Sequence, residues 1–173
     1  MTGALNINGE PAAAGNSAIV SLRDAAGDRV DIANTATPTF SARVVPGTYD
    51  VYYSRTATPT NTTTLAPANH AARLHTGVVV APGASTVFNI DIPSAMVTGR
   101  ITVNGVPTGP ADSGTLMLRS EAGDYAPFAT TNADSYAARL IPGTYDLYFS
   151  RADTSGDAAP MNTLVRLRCF TVP

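Results

Sequence analysis

The sequence of 173 residues contains no Lys, no Trp and no Gln, and its only cysteine is Cys169. One cysteine cannot build an internal disulfide framework, so stability must come from burial or from neighbouring chains. All eleven basic residues are Arg, charged residues make up 14%, and the formal net charge is −2. This balance argues against a polyanion-binding surface, and we expect no nucleic acid partner. We expect Cys169 to be a small buried hydrophobe rather than an interchain disulfide.

Long apolar runs are also lacking. No stretch approaches the roughly 18 apolar residues of a membrane span, and residues 1–11 lack the basic start and apolar run of a signal peptide. Abundant Thr, Ala, Gly and Pro with few charges are typical of a secreted β protein. We therefore expect an extracellular or cell-surface protein without a membrane span, whose export signal was removed or lies outside this sequence.

An internal repeat is the strongest feature that the sequence does contain. Residues 1–55 align with 97–151 at a constant offset of 96 without a gap, and 23 of the 55 positions are identical. The clearest match is Pro-Gly-Thr-Tyr-Asp at 46–50 and at 142–146. The repeat predicts two tandem domains, 1–96 and 97–173. They are called the first and second repeat below.

Within each repeat the apolar residues alternate with a period of two, which is typical of half-buried strands. Val20 and Leu22 of the first repeat match Leu116 and Leu118 of the second. An Asn-Gly turn follows the first strand in both repeats. In the first repeat we expect two further strands, near Ala72 to Val80 and at Thr86 to Ile92, with Phe88, Ile90 and Ile92 pointing inwards. About seven short strands per repeat predict an all-β Greek-key sandwich.

Asn-Gly-x-Pro, a Leu-rich strand, an aromatic strand and Pro-Gly-Thr-Tyr-Asp-x-Tyr together resemble a known group of folds. The pattern is similar to the prealbumin-like (Ig-like) β-sandwiches, which include carboxypeptidase regulatory-like domains and repeats of bacterial cell-surface proteins. The resemblance covers both repeats. It implies a fold but not a function, because that fold carries many functions.

The second repeat follows the first through Arg166-Leu167 and then lacks a counterpart of Thr86 to Pro93. Burying three large apolar side chains of such a strand contributes roughly 4 to 9 kcal/mol, which is comparable to the whole stability of a small domain. Three explanations stay open. The chain is a fragment of a longer repeat array, another subunit donates the strand by β-augmentation, or residues 164–172 shift to close the sheet.

Residues that could carry chemistry are few. His70 and His75, five apart on one strand, would point to opposite faces and cannot chelate together. Turn chemistry explains the acidic residues of the Gly-containing turns better than calcium does, since a dense Asp-x-Asp pattern is absent. These residues are Asp24, Asp28, Glu121 and Asp124. No nucleophile elbow, phosphate loop or paired-cysteine motif is present. We expect no enzyme activity, no cofactor and no metal site.

Two surfaces remain as interaction candidates. The loop 56–69 is long, polar and different between the repeats, and it contains the sequon Asn61-Thr62-Thr63. A solvated connector is the plainer interpretation of this loop. Tyr52 and Tyr148, predicted to point outwards beside Arg55 and Arg151, recur in both repeats. They could bind sugar or protein, or pack between neighbouring domains.

These features favour a structural repeat module of an extracellular bacterial stalk, fibre or filament, assembled head to tail and possibly with strand complementation. Its partners would then be copies of itself. The alternative is a carbohydrate- or protein-binding adhesin or accessory module, whose partner would be a glycan or a surface protein. The interaction candidates for either function are Tyr52, Arg55, Tyr148, Arg151, Phe88, Ile90 and Ile92.

Overall fold

A computed structural model describes residues 1–56, 64–83, 85–151 and 160–173. Strands and turns make up these ranges, which contain no helix, and the predicted all-β class is confirmed. The strands of the first repeat are β1 (Thr2–Ile7), β2 (Glu10–Pro11), β3 (Ala18–Arg23), β4 (Arg29–Asn34), β5 (Thr39–Ser41), β6 (Gly47–Arg55), β7 (Ala72–Val80) and β8 (Ile90–Ile92). Those of the second are β9 (Ala95–Arg100), β10 (Thr102–Val103), β11 (Val106–Pro107), β12 (Thr115–Arg119), β13 (Tyr125–Thr130), β14 (Ser135–Leu140), β15 (Gly143–Ser150) and β16 (Val165–Val172).

The two repeats share most of their strand pairing. In the first repeat β4, β3, β6 and β7 form one antiparallel sheet, and β1 pairs with β2, β5 and, in parallel, β8. In the second repeat β13, β12, β15 and β16 form the equivalent sheet, while β9 pairs with β14 and β10 with β11. The side chains between the two layers form one apolar cluster per repeat. This arrangement is that of a β-sandwich.

The alternation of buried apolar residues that the sequence predicted is confirmed. Val20 and Leu22 of β3 are fully buried, and Tyr49, Val51 and Tyr53 of β6 point into the same cluster. The Asn-Gly turn is also confirmed, since Asn8 and Gly9 have φ values of 53° and 78°. A type I′ hairpin turn requires a positive φ at both positions, which Asn and Gly adopt most readily.

The last strand of the first repeat lies where the sequence predicted an inward-facing strand. Ile90 pairs with Leu5 and Ile92 with Ile7, both Ile side chains are buried, and Phe88 packs against the cluster. In the second repeat β16 pairs with β15, as β7 pairs with β6, so it does not move across to close the other layer. Among the residues described, no strand of the second repeat takes the position of β8.

The expectation of a buried Cys169 is wrong. Its thiol is free and exposed. Cys169 lies on the edge strand β16 opposite Asp146, and directly opposite residues of an antiparallel pair share one face of the sheet. That face is the outer one, since Asp146 forms an exposed ion pair with Arg166 there.

Replacement of Gly3 by Ala should displace β8. A Cβ at Gly3 would overlap the carbonyl oxygen of Phe88, which belongs to the backbone and cannot turn away as a side chain can. The matched control is Gly99→Ala in the second repeat, where the Cβ would instead meet the side chain of Tyr136, 2.6 Å from its hydroxyl oxygen. We expect a loss of about 3 kcal/mol for Gly3→Ala and about 1 kcal/mol for Gly99→Ala in urea unfolding. Equal losses of unfolding free energy in the two variants would contradict the close packing of β1 against the segment that leads into β8.

Candidate functional site

Tyr52 and Tyr148 occupy the same outward position on β6 and β15, and both are half-buried. The guanidinium carbon of Arg23 lies 4.6 Å from the ring centroid of Tyr52, and that of Arg119 lies 5.5 Å from the ring of Tyr148. At these distances a cation–π attraction is expected. Each ring is therefore covered by a neighbouring arginine of the same sheet, which leaves less of its face open to a sugar.

The prediction that Arg55 and Arg151 lie beside these tyrosines on the outer face is wrong. Their exposed fractions are 5% and 3%. A residue three positions along a strand from Tyr52 points to the opposite face, because side chains alternate. Inside the fold Arg55 Nη1 donates to the carbonyl oxygen of Ala66 at 3.0 Å. Arg55 therefore holds the segment that connects β6 to β7.

The candidates Ile90 and Ile92 belong to β8, and Phe88 lies in the segment that leads into it. The two Ile side chains are buried there, and the half-buried ring of Phe88 lies edge-on to His75 with centroids 5.3 Å apart. These three side chains already have partners within their own repeat.

The loop 56–69 is only in part what the sequence predicted. Residues 57–63, which include the sequon Asn61-Thr62-Thr63, lie outside the described residues. Residues 66–69 are buried, so for this part a solvated connector is wrong. Its backbone reaches the second repeat, where Ala68 N donates to Arg139 O at 2.8 Å. This end of the loop joins the two repeats.

His70 extends the contact between the repeats. Its N–H donates to the carbonyl oxygen of Tyr125 at 2.7 Å, and Tyr125 N donates back to His70 O at 3.1 Å. The two rings stack with centroids 4.9 Å apart and an angle of 11°. Burial, and secondarily the charge of Arg55, lower the pKa of His70, which favours the neutral ring. We call the contacts of residues 68–70 with the second repeat the junction.

Asn69 lies at the centre of the junction and is fully buried. Its Nδ2 donates to Asp124 Oδ2 at 2.8 Å and to the hydroxyl oxygen of Tyr145 at 3.1 Å. Its Oδ1 accepts the backbone N–H of Ile141 at 2.8 Å. The Tyr145 hydroxyl donates in turn to the carbonyl oxygen of Ile141 at 2.8 Å. One side chain of the first repeat thus bonds three residues of the second.

The acidic member of the junction has unusual electrostatics. Burial raises the pKa of Asp124 to about 6, against the weaker opposing effect of hydrogen bonds from Asn69 and Tyr145. Burial and then the charge of Asp124 raise the pKa of Tyr145. Asp124 Oδ1 is buried and has no hydrogen-bond partner in the described part of the chain. The turn chemistry expected of the acidic residues does hold for Asp24, whose Oδ1 accepts two backbone N–H groups.

The residues of the first half of the junction recur in the second repeat. Arg55 N donates to Asn69 O at 2.9 Å, and Arg151 N donates to Asn162 O at 2.7 Å, so Asn162 is the equivalent of Asn69. Unlike Asn69, Asn162 is exposed. The sequence carried a signal for this pair, since Pro-x-Asn stands at the same distance before Arg-Leu at 67–74 and at 160–167.

The second half of the junction recurs in the first repeat. At the offset of 96, Asp28, Tyr49 and Val45 hold the positions of Asp124, Tyr145 and Ile141. The Tyr49 hydroxyl donates to Val45 O at 2.7 Å, which is the bond that Tyr145 makes to Ile141. Val45 is 75% exposed. The two outer surfaces of the pair of repeats therefore carry the two complementary halves of the junction.

No group of three or more His, Cys, Asp or Glu residues that could hold a metal ion is found in the ranges that the structure describes. Those ranges also contain no helix with the length and hydropathy needed to cross a membrane.

Comparison with family models, with characterised proteins and with solved structures gives no match. The prealbumin-like relationship therefore stays a prediction, as does the division into domains at residue 96.

Replacing Asn69 by Ala should cost about 3 kcal/mol of unfolding free energy. It leaves the buried Ile141 N–H and the Asp124 carboxylate without the partners that Asn69 supplies, and each buried polar group left unsatisfied costs about 1 to 3 kcal/mol. The control is Asn162→Ala at the exposed equivalent position, with an expected effect of about 0.5 kcal/mol or less. Urea unfolding of dilute protein measures both, and similar losses would contradict the role of Asn69.

Asp124→Asn should flatten the pH dependence of stability between about pH 4 and 6. With its pKa raised from 3.8 to about 6, the folded chain binds more protons here than the unfolded chain. The stabilising contribution is thus complete below about pH 4 and is lost as the pH rises through about 6, amounting to at most about 3 kcal/mol. Urea unfolding from pH 4 to 7 measures the slope. Asp28→Asn makes the same charge change on the outer surface, and an equal change of slope there would contradict the assignment to the junction.

Proposed function

We propose that the chain is a structural repeat module of an extracellular bacterial stalk, fibre or filament, in which successive copies dock head to tail. The observation that carries this proposal is the recurrence of both halves of the junction on the outer surfaces of the two repeats. One surface offers Asn162, and the other offers Asp28, Tyr49 and the backbone N–H of Val45, at the positions of Asp124, Tyr145 and the Ile141 N–H. These are the residue types that bond the repeats to each other inside the chain.

The exposed apolar side chains support the same contact. Met161, beside Asn162, is 65% exposed, and Val45 is 75% exposed. Their equivalents at the junction, Ala68 and Ile141, are buried. Docking of one copy on the next would bury both. Since the two surfaces differ, the interface is heterologous, and such an interface forms filaments when its rotation does not close a ring.

The location outside the cell rests on composition. Few charges, abundant Thr, Ala, Gly and Pro, and an all-β fold are typical of secreted modules.

A binding module is the second candidate. Because arginines cover the rings of Tyr52 and Tyr148, carbohydrate binding is the less favoured form of this second candidate. A protein-binding form is favoured by an apolar cavity of about 460 Å³ in the second repeat, which is lined by Ile101, Val103 and Leu116 among others.

Two variants that each block one surface test the head-to-tail contact. Asn162→Asp places a carboxylate on the first surface, where it would face Asp28 of the next copy, and Val45→Asp places a charge on the second. Both side chains are exposed, so the fold should tolerate the changes. We expect wild-type chains to form oligomers that grow with concentration in sedimentation velocity and electron microscopy. Each variant alone should remain monomeric.

A mixture of the two variants provides the control. Each retains one intact surface, so the mixture should form one-to-one dimers and no longer species. Wild-type chains that stay monomeric at millimolar concentration would overturn the proposal. Oligomers that both variants still form would show that other surfaces mediate assembly, and would also overturn it.

A further inference from the structure

The junction buries a carboxyl group that has few hydrogen-bond donors around it. Asp124 is 6% exposed, and among the described residues the closest donor to its carboxyl is the amide of Asn69, 2.8 Å from Oδ2. Tyr145 has one hydroxyl hydrogen, and the carbonyl oxygen of Ile141, at 2.8 Å, is a nearer acceptor for it than Asp124 Oδ2, at 3.3 Å. Oδ1 of Asp124 has no partner within the described ranges.

Surroundings of this kind favour the neutral carboxyl group over the carboxylate. Burying a charge costs far more than burying a neutral polar group, unless an opposite charge or several donors compensate. One amide is little compensation for a whole negative charge. The raised pKa of Asp124, about 6, agrees with this geometry. The folded junction therefore retains a proton that an exposed aspartate releases near pH 4.

Asp28 of the first repeat would enter the same surroundings when two copies dock. Its carboxylate is exposed in the single chain, in the turn equivalent to that of Asp124. Docking would bring the amide of Asn162 to it. The Tyr49 hydroxyl has no second hydrogen to offer, because it donates to Val45 O at 2.7 Å. The carboxylate would therefore exchange its water for one close donor.

We propose that head-to-tail docking takes up one proton at Asp28 of each contact, so that acid strengthens the assembly and neutral pH weakens it. This inference rests on the proposed function, since it concerns the same two surfaces. A group that holds its proton more tightly in the docked state than in the free chain makes association depend on pH. Association is then strongest below about pH 4 and weakens as the pH rises through about 6.

The other ionisable groups leave Asp28 as the one that changes charge in this range. The elements packed at the junction carry the ionisable residues His70, Arg55, Glu121, Tyr125, Arg139 and Tyr145. Their equivalents at the outer surfaces are Thr163, Arg151, Ala25, Arg29, Arg43 and Tyr49. No histidine or further carboxyl group stands at these equivalent positions, and Arg and Tyr keep one charge state between pH 4 and 7.

Arg29 is the added cation at the outer contact, since it stands in the place of Tyr125. It already has a partner. Both Nε and Nη2 of Arg29 lie 2.8 Å from Asp31 Oδ1. Arg43 and Arg151 have arginine counterparts at the junction, so they do not distinguish the two contacts. The outer contact therefore gains no unpaired cation at the position of Tyr125 that would compensate an ionised Asp28.

Association of the full chain at pH 5 and at pH 7, measured by sedimentation velocity, tests the inference. If Asp28 gains the proton affinity that Asp124 has, the wild-type association constant should be about tenfold larger at pH 5. Asp28→Asn stays neutral at both pH values, so it should associate at pH 7 about as strongly as wild type at pH 5. Glu10→Gln makes the same charge change at an exposed residue of β2 and should keep the tenfold dependence.

A further variant separates docking from nonspecific association. The net charge of −2 at pH 7 approaches zero as the pH falls, which by itself promotes association. Val45→Asp blocks one docking surface and should stay monomeric at pH 5. If this variant associated at pH 5 as strongly as wild type, the acid effect would be nonspecific and the inference would be wrong.

The remaining outcomes distinguish this inference from the proposed function. Equal association of wild type at the two pH values, blocked by Val45→Asp at both, would overturn the inference and leave the proposed function intact. Weaker association at pH 5 would do the same, because a cation would then bind the ionised Asp28. A tenfold dependence that persists in Asp28→Asn would assign the proton to another group and also overturn the inference. Wild-type chains that stay monomeric at both pH values and millimolar concentration would overturn both proposals.

Discussion

Covering the apolar face of one sheet with the other is the interaction on which the rest of this structure depends. The single Cys169 forms no disulfide, and the described residues include no helix that could cover a sheet. Each fully buried large apolar side chain contributes about 1.5 to 3 kcal/mol. In the first repeat β8 completes the cover, with Ile90 and Ile92 between the layers. In the second repeat the same walls stay partly open and line an apolar cavity.

The junction has a different role, since it fixes the orientation of one repeat relative to the other. An apolar contact tolerates sliding, but a buried polar side chain is costly in any position where it is not bonded. Asn69 satisfies both ends of its amide only when Asp124, Tyr145 and Ile141 of the second repeat are all in place. The network therefore selects one relative orientation.

The features that the sequence predicted correctly depend on local sequence patterns. The alternation of Val20 and Leu22, the Asn8-Gly9 turn and the strand Ala72–Val80 depend on period and turn chemistry, which neighbouring residues determine. The orientation of Arg55 was equally local and was misassigned, because it lies at an odd spacing from Tyr52 and so on the other face. A strict application of the period of two would have placed it inside.

The junction could not be predicted in this way. Asn69 and Asp124 are 55 residues apart, and Asp124 stands in the same Ala-Gly-Asp turn as Asp28 of the first repeat. Only the packing of one repeat on the other buries the carboxylate of Asp124, whereas that of Asp28 stays exposed. The environment of such a residue is a property of the assembled pair and not of its own repeat.

The same reasoning explains why a repeat protein can keep large apolar side chains on its surface. Val45 and Met161 stand where Ile141 and Ala68 stand at the junction, and their exposure follows from the absence of a neighbour rather than from a defect of the core. Neither residue lines the apolar cavity of the second repeat, so the exposed side chains and the cavity arise at different places and from different causes.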